Sequence, residues 1–249
     1  MKKYLAYFDL LGFKDFIENN NIEEQKRGVN NIFRDIEAAM ANDNYVDARH
    51  GVIADLSKYK IQVANFSDTF LLWTLDDSKE SLDEILRVTY DFNWRTTVYN
   101  FPARGCMIYG DFFASSFQNE NKEGGSYSSR SIFGSGLIDA YLKAESTQWS
   151  GAFIDESVIK KIESLGLDHS EYLTKYAKKY HVPLNNGETM LSYAFRLSSG
   201  ELDESSFKNK SETIKFSFSS YNKTIEHKSV QIKLLNTIEF LKSELGSHR

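Results

Sequence analysis

Short apolar runs alternate along the chain with longer stretches in which apolar residues recur at helical spacing. The apolar run from Tyr4 to Leu10, ended by Gly12, is too short for a buried helix and predicts a buried strand. Residues 23–40 and 82–100 carry apolar side chains at helical intervals, which predicts two amphipathic helices. Residues 59–75 form two strand-like runs around a polar turn and predict a hairpin.

The rest of the chain adds further elements of both kinds. Strands are predicted at 104–113, 131–133, 151–154 and 191–197, and helices at 136–147, 156–165 and 228–245. The polar segment 115–131 is predicted as a surface loop or an extended hairpin, and the polar segment 198–211 as a connector. This order predicts an α+β fold in which helices flank a mainly antiparallel sheet.

The composition changes near residue 168, where lysine and serine become more frequent. We therefore predict a first domain at 1–165 and a C-terminal α/β extension at 166–249. The extension ends in an amphipathic helix with one apolar stripe, which we expect to pack on the first domain or on a second subunit.

The overall charge disfavours one broad class of function. With 30 Lys+Arg against 35 Asp+Glu, the net charge of −5 is not that of a general nucleic-acid binder. Cys106 is the single cysteine, so neither an intramolecular disulfide nor a cysteine-based zinc site can form. No apolar run reaches the roughly 18 residues that span a membrane, and Asp9 interrupts the signal-like start. We expect a cytoplasmic protein with neither a membrane nor a nucleic-acid partner.

Two aspartates lie where strands are predicted to end: Asp9 after the first strand, and Asp68 at the tip of the hairpin. Separately, Asp9 could cap a following helix and Asp68 could be an ordinary turn residue. Together, two carboxylates at adjacent strand ends are a natural way to hold one or two Mg²⁺ or Mn²⁺ ions. The backbone N–H groups of Leu11, Gly12 and Phe13, in the turn after Asp9, would suit a phosphate.

Short motifs accompany these aspartates in a definite order. They are Phe8-Asp9-Leu10-Leu11-Gly12-Phe13, Ser67-Asp68, Arg104-Gly105 followed by Gly110, Phe133-Gly134, and the helix Ile138-Asp139-Ala140-Tyr141-Leu142-Lys143-Ala144-Glu145-Ser146. Each motif is weak alone, but their order and spacing over residues 3–165 resemble the class III nucleotide cyclase domain. The resemblance implies a ferredoxin-like, palm-type sheet.

The resemblance also implies an enzyme. The 3′-hydroxyl of a nucleoside triphosphate would attack its own α-phosphate, giving a 3′,5′-cyclic monophosphate and pyrophosphate. Asp9 and Asp68, with the Leu10 carbonyl, would hold two divalent metal ions per site, Mn²⁺ or Mg²⁺. The sites would form between the two antiparallel subunits of a homodimer.

Two residues of the predicted helix at 136–147 depart from the family pattern. Lys143 stands where the family has an arginine that stabilises the transition state from the partner subunit, and it keeps the charge but loses the bidentate fork. Asp139 stands where the family has an asparagine that orients the ribose. Alternatively, Asp139 and Lys143 form an exposed ion pair worth a few tenths of a kcal/mol.

The residues that would read the base depart further. Ala64 and Ser131 stand where purine-specific members carry a lysine and an aspartate. Asn65, Ser131 and Arg104 remain as polar groups for a base, although Arg104 could instead pair with an acid such as Asp111. This pattern is most similar to the pyrimidine cyclases of bacterial antiphage defence (the Pycsar systems), which make cyclic UMP or cyclic CMP to activate a partner effector. We predict UTP over CTP, because an acceptor-rich uracil edge suits a site without a fixed acidic acceptor.

Three other functions stay open from the sequence. Lys143 and Asp139 are compatible with a catalytically inactive cyclase-like module that binds a nucleotide or a partner protein, although retention of Asp9 and Asp68 weighs against it. A purine (ATP or GTP) cyclase with a rearranged pocket is the second. A palm-type enzyme acting on nucleic acid is the third, and the acidic net charge weighs against it.

Overall fold

The computed structural model describes residues 2–49 and 51–246. The strands of these residues are β1 (Lys2–Leu10), β2 (Tyr45–Ala48), β3 (Gly51–Ala54), β4 (Gln62–Phe66), β5 (Thr69–Trp73), β6 (Ala103–Asp111), β7 (Phe113–Glu120), β8 (Ser126–Phe133), β9 (Gly151–Ile154), β10 (Ala177–Pro183) and β11 (Thr189–Phe195). The helices are α1 (Phe13–Asn19), α2 (Ile22–Ala41), α3 (Lys79–Tyr99), α4 (Ser135–Glu145), α5 (Glu156–Ser164), α6 (His169–Leu173), α7 (Glu204–Ser219) and α8 (Lys228–Lys242). Within the two described ranges, no helix combines the length and the apolar character that crossing a membrane requires.

The main sheet has the strand order β10-β11-β9-β6-β1-β5-β4. β1 pairs with β5 and β6, and β5 pairs with β4, all in antiparallel fashion, whereas β6 and β9 are parallel. β1, α2, β4, β5, α3 and β6 therefore follow the β-α-β-β-α-β course of a ferredoxin-like unit, with β1 at its centre. The predicted fold class, an α+β fold with helices flanking a mainly antiparallel sheet, is confirmed. The same sheet continues across the predicted domain boundary, because β10 and β11 extend it beyond β9.

The central strand β1 is buried on both faces, which explains why its sequence is apolar without alternation. On one face, Phe8 packs edge-on against Phe92 of α3, with ring centroids 4.9 Å apart. On the other face, Tyr7 belongs to a second cluster that includes Trp149 and Phe240, the latter from α8. Two helical layers thus enclose the strand that carries Asp9.

Two polar segments fold into regular structure. The segment 115–131, predicted as a loop or an extended hairpin, is the hairpin β7–β8. The prediction of a connector at 198–211 is wrong from Glu204 onward, where α7 begins. Asp203 caps this helix by accepting a hydrogen bond from the Ser206 N–H, and Ser211 and Ser217 take buried positions on it. Serine at these core-facing positions interrupts the apolar stripe from which an amphipathic helix is predicted.

Candidate active site

The two predicted aspartates lie at neighbouring strand ends of the main sheet. Asp9 is the penultimate residue of β1, and its partner on β5 is Thr69, the residue after Asp68. The Leu10 N–H donates to the Asp68 carbonyl over 3.0 Å, which fastens the end of β1 to the tip of the β4–β5 hairpin. Burial is the main cause of the raised pKa of Asp9, and electrostatic repulsion by the Asp68 carboxylate adds to it. The structure therefore brings together the pair that the sequence singles out.

Arg104 of β6 pairs directly with Asp9. The β1–β6 register sets the two residues opposite each other, and Arg104 Nε donates to Asp9 Oδ2 over 2.8 Å. The same guanidinium forms an ion pair with Glu145, the last residue of α4. Of the two roles predicted for Arg104, base contact or pairing with an acid, the described structure shows pairing, and the acids are Asp9 and Glu145. Glu145 is a site residue that sequence reasoning missed, although it lies in the Glu145-Ser146 end of a quoted motif.

Burial and neighbouring cations act in opposite directions on Asp9. Burial raises the pKa of its carboxyl group, whereas the Arg104 guanidinium favours the charged form. Lys233 of α8 also favours the charged form, so a residue from the C-terminal end of the chain lies near this pair. The cluster therefore mixes carboxylates with cations from β6 and α8.

The oxygen donors of this cluster fit a divalent metal whose coordination a substrate completes. No group of three or more His, Cys, Asp or Glu side chains placed to hold a metal occurs in residues 2–49 and 51–246. Mg²⁺, however, is usually held by one or two carboxylates, with waters and substrate phosphates as its other ligands. Asp9, Asp68 and the Leu10 carbonyl are donors of this kind, and Arg104 competes with a metal for Asp9.

The turn after β1 offers fewer phosphate donors than predicted. The Leu11 N–H donates to the Pro102 carbonyl over 2.8 Å, so it is already used. Gly12 precedes α1 in a left-handed conformation with φ 77°. The N–H groups of Gly12 and Phe13 remain as the predicted donors of this turn.

The polar residues predicted to face a base lie on β4 and β8. The Asn65 side-chain amide donates to the carbonyls of Ser67 and Thr69 over 3.1 and 3.0 Å, so it braces the hairpin tip. Ser131 is exposed on β8, opposite Ser115 of β7. In the described residues, the hydrogen bonds and ion pairs of Arg104 go to Asp9 and Glu145, and to neither of these side chains.

Arg130 is a cation on this side of the sheet that the sequence did not indicate. It reaches from β8 to β4, where its guanidinium donates to the Val63 carbonyl over 3.3 Å and lies 5.0 Å from the centre of the Trp73 ring. With Ala64 and Asn65 it lines an open cavity of about 460 Å³. α2 and β4 form most of its wall and Arg130 closes one side, so the cavity depends on packing between distant segments that no local pattern encodes.

Lys143 pairs with an acid other than Asp9. It forms an ion pair with Asp155, the residue that caps α5, and not with Asp139. Both Lys143 and Asp155 line a separate cavity of about 430 Å³ beside β9 and β11. Asp139 is exposed on α4. The predicted alternative, an exposed Asp139–Lys143 pair, is therefore not formed, because α5 provides a closer acid.

Lys223 is a buried lysine that packs against the turn after β1. It is 7% exposed, and its Nζ donates to the Ser217 carbonyl over 2.7 Å and lies 3.8 Å from the centre of the Phe101 ring. A Cβ added at Gly12 would stand 3.1 Å from Lys223 Cδ, so the lysine stem covers this turn. Burial lowers the pKa of the ammonium from 10.5 to about 7.

Replacement of Lys223 by Met is expected to raise the free energy of unfolding at and below neutral pH. The unfolded lysine keeps its proton up to about pH 10.5, whereas the buried one loses it above about pH 7. Wild-type stability therefore rises with pH between these values, by at most about 1.4 kcal/mol per pH unit. Since the Met variant lacks this dependence, its gain in the free energy of unfolding should be largest below pH 7 and should shrink as the pH rises.

Urea unfolding of both proteins at about pH 6, 8 and 9.5 measures the difference in their free energies of unfolding. An advantage that is equal at all three values would contradict the assignment, and Lys208→Met, at an exposed position of α7, is the control.

Comparisons with known proteins give similarities among solved structures only. No protein-family model matches the chain, and no curated protein matches it. The chain is similar to the catalytic core of a rhodopsin-guanylyl cyclase with converted specificity in complex with ATPαS, with 11% identity and a TM-score of 0.48 over 78% of this chain and 94% of that one. It is also similar to a class III adenylyl cyclase-like ATP-binding protein from Pseudomonas aeruginosa, with 12% identity and a TM-score of 0.41 over 65% of this chain and 34% of that one. The chemistry proposed below rests on this chain's own residues.

Proposed function

We propose that the chain is a metal-dependent nucleotide cyclase that converts a pyrimidine nucleoside triphosphate, UTP in preference to CTP, to its 3′,5′-cyclic monophosphate. The observation that carries the proposal is the meeting of Asp9 and Asp68 at adjacent strand ends of a ferredoxin-like sheet. The order of sequence motifs that resembles the class III nucleotide cyclase domain supports assigning cyclase chemistry to this pair.

The reaction is an in-line displacement at the α-phosphorus. A bond forms between the 3′-oxygen and phosphorus, the bond to pyrophosphate breaks, and the hydroxyl proton passes to water. Asp9, Asp68 and the Leu10 carbonyl would hold the divalent ions, which when bound lower the pKa of the hydroxyl and neutralise the triphosphate. The protein contributes mainly by positioning the nucleotide and stabilising its charge.

Arg104 acts in this proposal as a positioning residue for Asp9. Its fork spans the Asp9 and Glu145 carboxylates, and the Arg104 and Asp9 side chains are each 15% exposed. A guanidinium held between two acids fixes the orientation of both. Arg104 therefore links the end of β1 to the end of α4, the helix that carries Asp139 and Lys143.

The residues beside the cavity at β4 support a pyrimidine with acceptor oxygens. Arg130 offers donors only, and Ala64 offers no polar group. Uracil presents two carbonyl oxygens, whereas the amino group of cytosine needs an acceptor. The preference for UTP over CTP therefore rests on the Arg130 donors, since the Asn65 amide is engaged at the hairpin tip and the Glu37 carboxylate, an acceptor, lines the same cavity.

A homodimer is part of the proposal, because α4 and the tip of the β4–β5 hairpin carry apolar side chains that are exposed to solvent. Phe66 is 85% exposed at the tip of the β4–β5 hairpin, and Ile138 and Leu142 are 59% and 56% exposed on α4. A second copy that covers these residues would carry Lys143 and Asp139 towards the opposite site. The cyclic product would act as a second messenger in antiphage defence by activating a partner effector, a role that follows from the family resemblance.

One observation favours a second candidate, the inactive nucleotide-binding module. Arg104 already neutralises Asp9 in the described structure, so a bound nucleotide could be held without a metal. The two functions differ in their need for Mn²⁺, since binding without turnover would be independent of the ion.

The experiment that tests the proposal is incubation of the protein with Mn²⁺ and each of ATP, GTP, CTP and UTP in separate reactions. The expected result is a cyclic monophosphate from UTP, with less or none from CTP and none from the purines. A cyclic product from ATP or GTP alone would contradict the pyrimidine assignment but keep the cyclase chemistry. Metal-independent binding without any product would favour the inactive module.

A further inference from the structure

Lys233 is a half-buried lysine of α8 beside the Asp9–Arg104 pair. Its Nζ donates to the Ser229 hydroxyl over 3.3 Å, and the described residues place no carboxylate within ion-pair distance of it. It interacts electrostatically with both Asp9 and Arg104. An ammonium that is partly removed from water without a carboxylate in ion-pair contact is unfavourable, so a partner anion from outside the chain would be favourable.

Hydrogen bonds fix the part of α8 that carries this lysine. One turn after Lys233, the buried Thr237 hydroxyl accepts a hydrogen bond from the Ser150 N–H over 2.8 Å. The Ser150 hydroxyl in turn accepts from the N–H of Ala103 over 3.0 Å, and Ala103 directly precedes Arg104. Residues 233 and 237 share one face of the helix. These contacts therefore fasten the helical turn that follows Lys233 to Ser150 and, through Ser150, to the start of β6, one residue before Arg104.

A second contact on the neighbouring residue strengthens this attachment. The Asn236 side-chain amide donates to the Gln148 carbonyl over 2.7 Å. Both contacts fall on the segment between α4 and β9, so α8 is fastened to the backbone that leads into the site.

We propose that Lys233 binds the phosphate groups of the nucleotide, so that the C-terminal helix α8 contributes a phosphate contact to the site of its own subunit. This inference rests on the proposed function. Arg104 is engaged by Asp9 and Glu145, whereas Lys233 has a hydroxyl as its partner and can turn to an anion without breaking an ion pair. The extension that begins after residue 165 then contributes to the site.

The test compares Lys233→Met with Lys242→Met, which removes an exposed lysine at the end of the same helix. The first readout is calorimetric binding of inorganic tripolyphosphate, which needs no turnover. Lys233→Met is expected to weaken this binding about tenfold, as loss of one charge-assisted hydrogen bond does, and Lys242→Met to leave it unchanged. Lys233→Arg is expected to restore most of the affinity.

The second readout is turnover of UTP with Mn²⁺. Lys233→Met is expected to raise KM about tenfold with a change in kcat of less than about threefold, because a phosphate contact present throughout the reaction acts mainly on binding. Thermal unfolding of each variant controls for a loss of folding.

The outcomes separate this inference from the proposed function. Equal tripolyphosphate binding by wild type and Lys233→Met overturns the inference, and cyclic product from both proteins would then leave the proposed function intact. Weaker binding by Lys233→Met, with no product from any triphosphate in the wild type, would support an anion site at Lys233 and contradict the cyclase. A fall in kcat without weaker binding also overturns the inference, since it would assign Lys233 a structural role.

Discussion

Asp9→Asn and Asp68→Asn are each expected to lower nucleotide cyclisation by at least about a thousandfold, because each substitution removes a charge from a metal ligand while keeping its size. Asp9→Asn also leaves Arg104 with Glu145 as its one remaining acid, so a modest loss of stability should accompany it. Asp68 forms no ion pair within residues 2–49 and 51–246, so Asp68→Asn should unfold at close to the wild-type temperature. Product formation from UTP with Mn²⁺, measured beside thermal unfolding, gives both quantities.

Asp47→Asn provides the control for these substitutions, because Asp47 is exposed on β2, outside the main sheet. It should keep wild-type turnover. Full activity in both Asp9→Asn and Asp68→Asn would show that these carboxylates hold no essential metal.

Gly134→Ala is expected to destabilise the protein by about 3 kcal/mol or more. Gly134 joins β8 to α4 with φ 146° and ψ 154°, a region that is essentially restricted to glycine. A Cβ at this position would overlap the Asp111 carbonyl oxygen, which belongs to the backbone of β6 and cannot move aside. Displacement of α4 would also move Glu145 away from Arg104, so activity should fall together with stability. Urea unfolding measures the change.

Gly124→Ala separates the conformational effect from the steric one. Gly124 has φ 82° in the β7–β8 turn, and an added Cβ would meet open space. Gly124→Ala should lower the free energy of unfolding by about 1 kcal/mol. Equal losses in the two variants would show that backbone contact with Asp111 contributes nothing at Gly134.

The elements that the sequence predicts well are those whose burial follows a single repeating pattern. The buried run of β1 and the helix at Lys79–Tyr99 are examples, since apolar side chains there fall on regular positions. α7 was missed because Ser211 and Ser217 occupy its buried face. β10 was missed because Lys178, Lys179 and His181 interrupt its apolar residues, and pairing with β11 alone makes it a strand.

Some residues of the candidate site can be predicted from local sequence patterns, whereas others depend on contacts between distant parts of the chain. Asp9 and Asp68 could be placed together because each follows a strand-like run and because the order of the motifs resembles a family in which the two residues meet. The pairing of Arg104 with Asp9 depends on the register between β1 and β6. The two residues are 95 positions apart in the sequence, so no local pattern indicates that they are partners. The position of Lys233 near the pair depends on the packing of α8 against residues 148–150, and a lysine on an amphipathic helix carries no signal of that packing.

The most direct test of the proposed cyclisation is to follow the reaction of UTP and Mn²⁺ with the wild-type protein by phosphorus NMR and mass spectrometry. We expect cyclic 3′,5′-UMP and pyrophosphate to appear in equal amounts as UTP disappears. Linear UMP with pyrophosphate, or UDP with phosphate, would show hydrolysis by water in place of attack by the 3′-hydroxyl. Either of those product pairs, or no reaction of a folded protein with any triphosphate, would contradict a cyclase built on Asp9 and Asp68.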